Sequence, residues 1–313
     1  MSNSPSPTIQ GRMLCASVLS YSVPNNVTIN PPNSNIPLTK PYYSGAGYIG
    51  IPAMIASNAH DTHAACTVGV TQDGIVIAFR GTVYTSITDW TNDLLVEPVA
   101  VPNIPGEIHD GFNKALVAIY PVLLPWLRKV IAANPGLKLY ITGHSKGAAM
   151  APIAAYYLYN NGIKASGLYL YAPPLPGNST FASAYNNLFP NTFLYENYLD
   201  IVPLLPPSPE TAGGLDYYFL GNGSTEAKIA AALITWFGLE YDYSPIGTAN
   251  NTFFILPPVG GKYSIVPLTN SVYIQQLNSI GMNILAGNIK LIAAAHNSRC
   301  GGGYMGALGG GIC

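Results

Sequence analysis

The sequence predicts an α/β fold with a central, mostly parallel sheet. Apolar strand patterns alternate with longer helical patterns from residue 67 to residue 200, and this alternation is typical of parallel strands joined by covering helices. The chain has 313 residues, which is enough for one large domain with a sizeable core. No linker or internal repeat is evident, so we expect a single domain over residues 1–313.

The N-terminal part, residues 1–63, is rich in Pro, Asn and Ser. One helix is predicted around residues 11–22, and we interpret the whole part as a segment that wraps around the domain. Two apolar strands follow on either side of a Gln-Asp-Gly turn, and the second strand ends in the sequence Arg-Gly-Thr. Residues 112–131 then show the apolar period of a helix, which an Asn-Pro-Gly sequence terminates.

The middle of the chain carries the clearest alternation. Strand LKLYIT, turn GHSKG, helix AAMAPIAAYYLY and strand SGLYLYA follow one another between residues 137 and 172. A further strand, TFLYENY, leads to Asp200. Beyond it, helices are predicted near Ser224 to Phe237 and near Val272 to Ala295.

Charged residues are scarce in this chain. Lys and Arg number 13 and Asp and Glu number 14, which makes 9% of the residues and a net charge of −1. An ordinary soluble domain carries about 25% charged residues. This balance excludes the basic surface of a nucleic-acid-binding protein and the acidic composition of a solvating chain. Apolar and hydroxyl-rich surface instead suits apolar or carbohydrate-like partners.

Membrane and targeting signals are weak. The apolar runs are shorter than the roughly 18 residues that a membrane-spanning helix needs, so no transmembrane segment is expected. The first residues lack the basic start and apolar core of an intact signal peptide. Asn-x-Ser/Thr acceptor sites permit secretion, and an extracellular location is the one we favour; these sites are Asn26, Asn178, Asn222 and Asn250.

The four cysteines are Cys15, Cys66, Cys300 and Cys313, and their spacing matches no metal site. Cys300 and Cys313 flank the glycine-rich tail, where a disulfide would close a loop. Free thiols are the alternative, and the sequence does not decide between them.

Residues 143–147, Gly-His-Ser-Lys-Gly, match the pattern G-x-S-x-G between an apolar strand and a helix of small residues. Glycines on both sides let the backbone turn sharply around Ser145, so that its hydroxyl projects from the sheet toward the N–H groups of the helix start. We therefore predict that Ser145 is a nucleophile. The alternative is a glycine-rich turn in which Ser145 only caps the helix.

A serine nucleophile needs a general base, and after a turn of this kind the acid and the histidine follow in the chain. His296 is the only histidine beyond Ser145, and the alternative for it is a surface or capping role. Asp200 follows a strand, which places a carboxylate at the carboxyl end of the sheet; the alternative is a turn-forming Asp. Six other carboxylates lie between Ser145 and His296 without this context: Glu196, Glu210, Asp216, Glu226, Glu240 and Asp242.

Four segments in the same order resemble the class 3, or fungal-type, lipase family of α/β-hydrolases: IVIAFRGT (75–82), ITDWTNDLLVEPVAVPNIPGEIHDGF (87–112), LYITGHSKGAA (139–149) and YLDIVPLLPP (198–207). The resemblance implies an α/β-hydrolase fold, carboxylic-ester hydrolysis and acylglycerol substrates. By position it implies a triad of Ser145, Asp200 and His296. It also implies two oxyanion donors, the residue Thr82 and the backbone N–H of Lys146.

The resemblance further assigns residues 83–96 to a helical lid over the site. One stripe of this helix would contact substrate and contains Ile87, Trp90, Leu94 and Leu95. The alternative is an ordinary amphipathic helix fixed on the core. The sequence HDGF at residues 109–112 matches the motif that follows the lid and is interpreted as structural support.

Two departures from the family pattern bear on the predicted site. Lys146 stands where the family mostly has Leu, and its side chain either helps to hold negative charge or extends outward. Asp200 and His296 are about 96 residues apart, which is longer than in compact members of the family. This spacing predicts a helical insertion over about residues 208–290.

These features predict two-step acyl transfer, in which an ester acylates Ser145 and water then releases the acid. The mechanism needs no metal ion and no organic cofactor. The expected partner is a lipid or another ester, with an oil–water interface as the site of action of a lipase. The alternatives are a short-chain, phenolic or polyester esterase and a non-catalytic lipase-like interaction protein.

A moving lid would distinguish the lipase hypothesis from the esterase alternative. We expect activity on a triacylglycerol to rise disproportionately once the substrate exceeds its solubility, because the lid then exposes its apolar stripe. Trp90→Ala is expected to blunt this rise more than it lowers hydrolysis of a soluble short ester. Initial rates across the solubility limit check both expectations, and simple saturation with equal losses on the two substrates would favour the esterase.

Overall fold

The fold is organised around a central eight-stranded sheet. The structure is a computed structural model, and it describes residues 4–25, 27–32, 40–59, 63–82, 95–214 and 238–312. The strands are β1 (Ala53–Ser57), β2 (Ala64–Thr71), β3 (Gly74–Phe79), β4 (Pro98–Ala100), β5 (Glu107–His109), β6 (Leu139–His144), β7 (Gly167–Tyr171), β8 (Thr192–Asn197), β9 (Thr252–Val259) and β10 (Lys262–Pro267). The helices are α1 (Ile9–Leu19), α2 (Lys40–Ala46), α3 (Asp110–Ala133), α4 (Lys146–Asn160), α5 (Ser179–Leu188), α6 (Asn270–Leu285), α7 (Ile289–Ala295) and α8 (Gly303–Leu308).

The sheet is parallel in its centre and antiparallel at its edges. Its order is β1-β2-β3-β6-β7-β8-β9-β10, and every pairing from β3 to β9 is parallel. Antiparallel pairs complete the two ends, while β4 and β5 form a separate small sheet. The predicted α/β fold with a mostly parallel sheet is therefore confirmed. Because parallel strands end at the same edge, the residues that follow β6 and β8 are brought close together.

The segment between residues 208 and 290 differs from the helical insertion that the sequence predicts. β9 and β10 form a hairpin within it, and β9 pairs with β8, so this segment contains strands as well as helices. The helix predicted over residues 272–295 is present as α6 and α7, whereas the one predicted over residues 224–237 lies outside the described residues. A short apolar run such as TFFILPPV suits a strand or a buried helix equally well by periodicity, and only its pairing with β8 decides.

The two faces of the sheet carry different side chains, since successive residues of a strand point in opposite directions. In β7, Leu168 and Leu170 join the core that α3, α4 and α5 cover. Tyr169 and Tyr171 point to the other face, where α1, α2 and α8 pack. On that face the ring of Tyr195 stacks on Tyr171 at 5.4 Å and on Phe253 at 5.3 Å between centroids. Much of the tyrosine content is thus core.

Among the described helices, α3 alone has the length and apolar composition of a membrane span. One side of α3 is buried in the core beside α4, through Phe112, Ala115, Leu116, Ile119, Leu123 and Leu127. Packing in the core of an α/β fold therefore accounts for the apolar character of this helix.

The N-terminal segment is tied to the sheet at α1. The Thr8 hydroxyl caps this helix by accepting the N–H of Gly11 at 3.2 Å. Arg12 donates two hydrogen bonds to the Asp73 carboxylate, each 2.7 Å long, and a third to the Ser6 carbonyl at 2.7 Å. This bidentate ion pair fixes α1 to the turn between β2 and β3.

The cysteines divide into two groups. Cys300 is disulfide-bonded, and Cys313 lies outside the described residues. Cys15 and Cys66 are buried free thiols, and burial raises the pKa of Cys15 to about 12. Both thiols are therefore protonated at neutral pH.

Gly11→Ala tests the close packing of α1 against α8. A Cβ at Gly11 would lie 2.1 Å from Ser6 Oγ and 2.3 Å from the Leu308 carbonyl oxygen, so the helices must separate. We expect the free energy of unfolding to fall by about 1–3 kcal/mol in chemical denaturation.

Gly213→Ala is the matched control, because a Cβ there meets no atom within 4 Å. Gly213 lies in a helical run, so alanine is expected to stabilise the protein by about 0.5–1 kcal/mol. Equal effects of the two substitutions would contradict the tight packing.

Candidate active site

Ser145 lies in a sharp turn between β6 and α4. Its backbone has φ +59° and ψ −134°, a conformation that residues other than glycine rarely adopt. A Cβ at Gly143 would lie 2.3 Å from the Gly147 carbonyl oxygen, and a Cβ at Gly147 would lie 2.3 Å from the Phe79 carbonyl oxygen. Only glycine allows α4 to approach β3 and β6 so closely, and this approach sets the turn.

The Ser145 hydroxyl does not cap α4, although the residue occupies the N-cap position. Its backbone N–H donates instead to the Tyr171 carbonyl at 3.0 Å, which ties the turn to β7. Ser145 is 3% exposed. The capping alternative therefore does not explain this serine, and a buried serine with a strained backbone at the end of a central strand needs another explanation.

Asp200 and His296 are in direct contact. His296 Nδ1 lies 2.8 Å from Asp200 Oδ2 and 3.0 Å from Oδ1. Asp200 is fully buried, and His296 is 5% exposed at the C-terminal end of α7. A carboxylate only accepts hydrogen bonds, so Nδ1 is the ring nitrogen of His296 that donates to Asp200.

Two further donors hold the Asp200 carboxylate. The Val202 N–H donates to Oδ1 at 3.0 Å, and the Tyr304 hydroxyl donates to Oδ2 at 2.8 Å. Burial, followed by the charge of Asp200, raises the pKa of Tyr304 well above its usual range, so the tyrosine stays a donor. Both carboxylate oxygens therefore have partners, as a buried charge requires.

His144 connects Ser145 to the backbone of His296. His144 Nε2 lies 2.9 Å from the His296 carbonyl oxygen, and Nδ1 lies 2.8 Å from the Tyr21 hydroxyl. Burial, and then the charge of His296, lowers the pKa of His144 well below its usual range. The ring is thus neutral: Nε2 donates to the carbonyl and Nδ1 accepts from Tyr21.

Asn197 supports the same loop from β8. Its side-chain amide donates to the Ala295 carbonyl at 2.8 Å, directly before His296. Its backbone N–H donates to the Tyr304 hydroxyl oxygen at 3.0 Å. The end of β8 therefore holds both His296 and the tyrosine that contacts Asp200.

The predicted oxyanion donors lie where the strands end. Thr82 follows β3, and its Oγ1 is buried without a hydrogen-bond partner among the described residues. Such an atom is expected to have a partner, and a bound oxyanion would provide one. Lys146 is the first residue of α4, so its backbone N–H is at the positive end of the helix dipole.

The predicted lid is only partly within the described residues. Leu95 is partly buried just before β4, whereas Ile87, Trp90 and Leu94 lie outside the described residues. His109 is fully buried, accepts the Phe112 N–H at 3.3 Å and stacks on that ring at 3.8 Å between centroids. This histidine caps α3, which agrees with a supporting role.

Three contributors to this arrangement, Tyr21, Asn197 and Tyr304, were not anticipated from the sequence. The protein has 22 tyrosines, and no local motif distinguishes Tyr21 and Tyr304 from the other tyrosines. In the part of the chain that the structure describes, no group of three or more His, Cys, Asp and Glu is arranged to hold a metal ion.

Comparison with known families and structures agrees with this architecture. Residues 76–210 match the family model described as Lipase (class 3). The lipase of Rhizomucor miehei is 34% identical over 183 residues, which is 55% of this chain and 49% of that protein. Secreted mono- and diacylglycerol lipase A of Penicillium cyclopium is 33% identical over 153 residues, 48% of each chain. The chain thus spans about half the length of the curated relatives that it matches.

Solved structures extend the likeness to the fold. A triacylglycerol lipase whose catalytic centre is formed by a serine protease triad is 25% identical, with a TM-score of 0.52 over 63% of this chain and 72% of that one. A mutant form of MDLA from Penicillium cyclopium, 19% identical, has a TM-score of 0.53 over 87% of this chain and 95% of that one, which supports the fold alone. Residues 76–210 therefore match the class 3 lipase family, and the fold around them is that of the α/β-hydrolases.

Proposed function

We propose that this protein is a serine hydrolase that cleaves the carboxylic esters of acylglycerols through an acyl-enzyme at Ser145. Two observations carry the proposal: the strained Ser145 turn, whose neighbour His144 contacts the His296 backbone, and the buried Asp200 carboxylate that holds His296 by Nδ1. The names of the relatives, lipase and mono- and diacylglycerol lipase, support acylglycerols as the substrate class. Lipid esters are the partners that this chemistry requires.

In the proposed mechanism, His296 Nε2 takes the proton of the Ser145 hydroxyl while Oγ attacks the ester carbonyl carbon. The tetrahedral intermediate collapses, the bond to the alcohol oxygen breaks, and the imidazolium gives its proton to that oxygen. Water then attacks the acyl-enzyme with the same histidine as base and releases the fatty acid. Asp200 keeps Nδ1 protonated throughout and stabilises the imidazolium.

Negative charge on the carbonyl oxygen is proposed to be stabilised by Thr82 and by the backbone N–H of Lys146. Thr82 follows the end of β3, and Lys146 begins α4, whose helix dipole favours negative charge at that end. The buried Thr82 hydroxyl supports this role because it has no partner among the described residues. Donors fixed in advance stabilise an oxyanion more than water does.

Ser145→Ala and His296→Ala are each expected to lower kcat on p-nitrophenyl esters by about 10⁴-fold or more, and the double variant is expected to be little worse. The reason is that the two groups act as one unit. His63→Asn is the matched control, since His63 is exposed, has φ +44° and tolerates asparagine.

A fluorophosphonate probe provides an independent measurement, because it labels only an activated serine. We expect labelling of the parent protein and of the His63 variant, and none of the Ser145 variant. Near-normal turnover in His296→Ala would mean that another group is the base. Absence of both turnover and labelling in the parent would favour the non-catalytic alternative.

Thr82→Val tests the oxyanion assignment with little change in volume. We expect kcat to fall by about 10²–10³-fold with KM little changed, because the hydroxyl binds the transition state more tightly than the substrate. Thr82→Ser, which keeps the hydroxyl, is expected to retain most of the activity. Equal losses in the two variants would indicate that Thr82 contributes packing only.

A further inference from the structure

Tyr21 of the N-terminal segment contacts two parts of the chain that carry proposed catalytic groups. Its hydroxyl lies 2.8 Å from Nδ1 of His144, the residue directly before Ser145. The guanidinium of Arg299, three residues after His296, lies over the Tyr21 ring at 5.5 Å from the ring centroid. These contacts join the start of the chain to the serine turn and to the segment after the histidine, and the proposed mechanism uses none of them.

His144 contacts His296 in two ways. Its Nε2 lies 2.9 Å from the His296 backbone carbonyl oxygen. The two imidazole rings also lie against each other, with 4.6 Å between their centroids and an angle of 36° between their planes. His144 is 4% exposed, so the protein leaves its ring little room to move. It therefore restrains both the backbone and the ring of the residue that the mechanism assigns as base.

The His296 backbone lies at the end of α7, where intrahelical hydrogen bonds run out. His296 is the C-cap residue, and its N–H donates to the Ala293 carbonyl at 3.3 Å. The last carbonyls of a helix lack an intrahelical donor and need one from elsewhere. His144 provides this donor for the His296 carbonyl. The direction in which the His296 side chain leaves the helix therefore depends on His144.

The partners of His144 define where its proton is. A carbonyl oxygen only accepts, so Nε2 carries the proton and donates it to His296. In the neutral ring Nδ1 is then an acceptor, and the Tyr21 hydroxyl is the donor that faces it. Because the bond at one ring nitrogen sets the state of the other, the hydroxyl selects the tautomer in which Nε2 can donate.

A neutral His144 also suits the proposed reaction. Burial lowers the pKa of His144, so its ring is uncharged at neutral pH. During acyl transfer His296 becomes an imidazolium, and a second cation in the adjacent ring would raise the energy of that state. The ring of His144 can thus support the base without opposing its protonation.

We propose that Tyr21 and His144 are positioning residues for the general base: Tyr21 fixes the neutral tautomer of His144, and His144 holds the backbone and the ring of His296 in the geometry that the reaction with Ser145 requires. The inference rests on the proposed function, in which His296 is the base. A misplacement of about 1 Å at a reacting group costs about 10²-fold in rate.

Direct contact with the substrate is a different role for the Tyr21 hydroxyl. A Cβ at Gly81 would lie 2.1 Å from this hydroxyl and 3.1 Å from the Ser145 Cβ, so the hydroxyl lies near the serine and just before Thr82. A hydroxyl that binds the oxyanion would act without His144. The two roles therefore predict different results when both residues are changed.

Three single variants test the chain from Tyr21 through His144 to His296. His144→Phe keeps a planar ring and removes both ring nitrogens, and kcat on p-nitrophenyl esters is expected to fall by about 10- to 100-fold with KM little changed. His144→Gln restores an amide donor near the position of Nε2, and it is expected to recover part of this loss. Tyr21→Phe removes only the hydroxyl, and kcat is expected to fall by about 3- to 10-fold. A glutamine variant no better than His144→Phe would overturn the proposal.

The double variant of Tyr21→Phe and His144→Phe decides between the two roles. If the hydroxyl works through His144, adding Tyr21→Phe to His144→Phe is expected to cost less than about twofold in kcat. A full further loss of about 3- to 10-fold would show that the hydroxyl acts independently of His144, and the proposal would fail.

Tyr185→Phe is the matched control for loss of a tyrosine hydroxyl. The Tyr185 hydroxyl is hydrogen-bonded to Thr192 at 2.9 Å, and Tyr185 lies in α5 within the core. We expect this variant to lower the free energy of unfolding and to leave kcat unchanged. The same pattern in Tyr21→Phe, lower stability with unchanged kcat, would show a packing role only and would contradict the inference.

The tautomer of His144 is measured by ¹⁵N NMR of the histidine rings in the Ser145→Ala protein, which needs no activity. We expect a protonated Nε2 and an unprotonated Nδ1 at neutral pH, with the Nδ1 resonance shifted in Tyr21→Phe; His144→Gln assigns the signals by removing them. A protonated Nδ1 would overturn the inference whatever the turnover of the parent. The expected tautomer in a protein whose parent never hydrolyses esters would uphold the Tyr21–His144 arrangement while the proposed function fails.

Discussion

The close approach of α4 to β3 and β6 is the constraint on which the site depends. At Gly143 and Gly147 the backbones are so near that no Cβ fits, and this contact forces the chain through left-handed geometry at Ser145. The strain is held because β6 lies between two parallel partners and α4 is buried along most of its length. One packing contact thus sets the direction of the Ser145 side chain, the start of the helix and the position of the Lys146 N–H.

A second constraint is the buried charge of Asp200. Its carboxylate is satisfied by three donors: the Val202 N–H two residues away, and His296 and the Tyr304 hydroxyl from the C-terminal part of the chain. Removing any one leaves an uncompensated group in the interior, which is costly. The C-terminal third of the chain is therefore bound to the sheet by polar contacts as well as by apolar packing, and the site and the fold share these contacts.

The scarcity of charge and the abundance of tyrosine have one structural explanation. Alternate residues of β7 and β8 point aromatic rings to the face that α1, α2 and α8 cover. Tyr171 is fully buried there, and its hydroxyl donates to the Gln10 carbonyl. Tyrosine fills a core while satisfying backbone acceptors, so this face needs few charged residues to specify its packing. Tyr21 and Tyr304 use the same property beside His144 and Asp200.

The sequence by itself determined the strand–turn–helix unit around Ser145, the alternation of strands and helices between residues 67 and 200, and the resemblance to class 3 lipases, because glycine spacing and apolar periodicity are local properties of the chain. It pointed to Asp200 through the end of a strand and to His296 only by exclusion among five histidines. Tertiary structure alone decided that β9 and β10 extend the sheet, since a short apolar run has no preferred partner until β8 is beside it. It also decided the contacts of Tyr21 and Tyr304 with His144 and Asp200. These contacts join residues that lie more than 100 positions apart in the chain. No local pattern encodes which residues will share one buried, low-dielectric space.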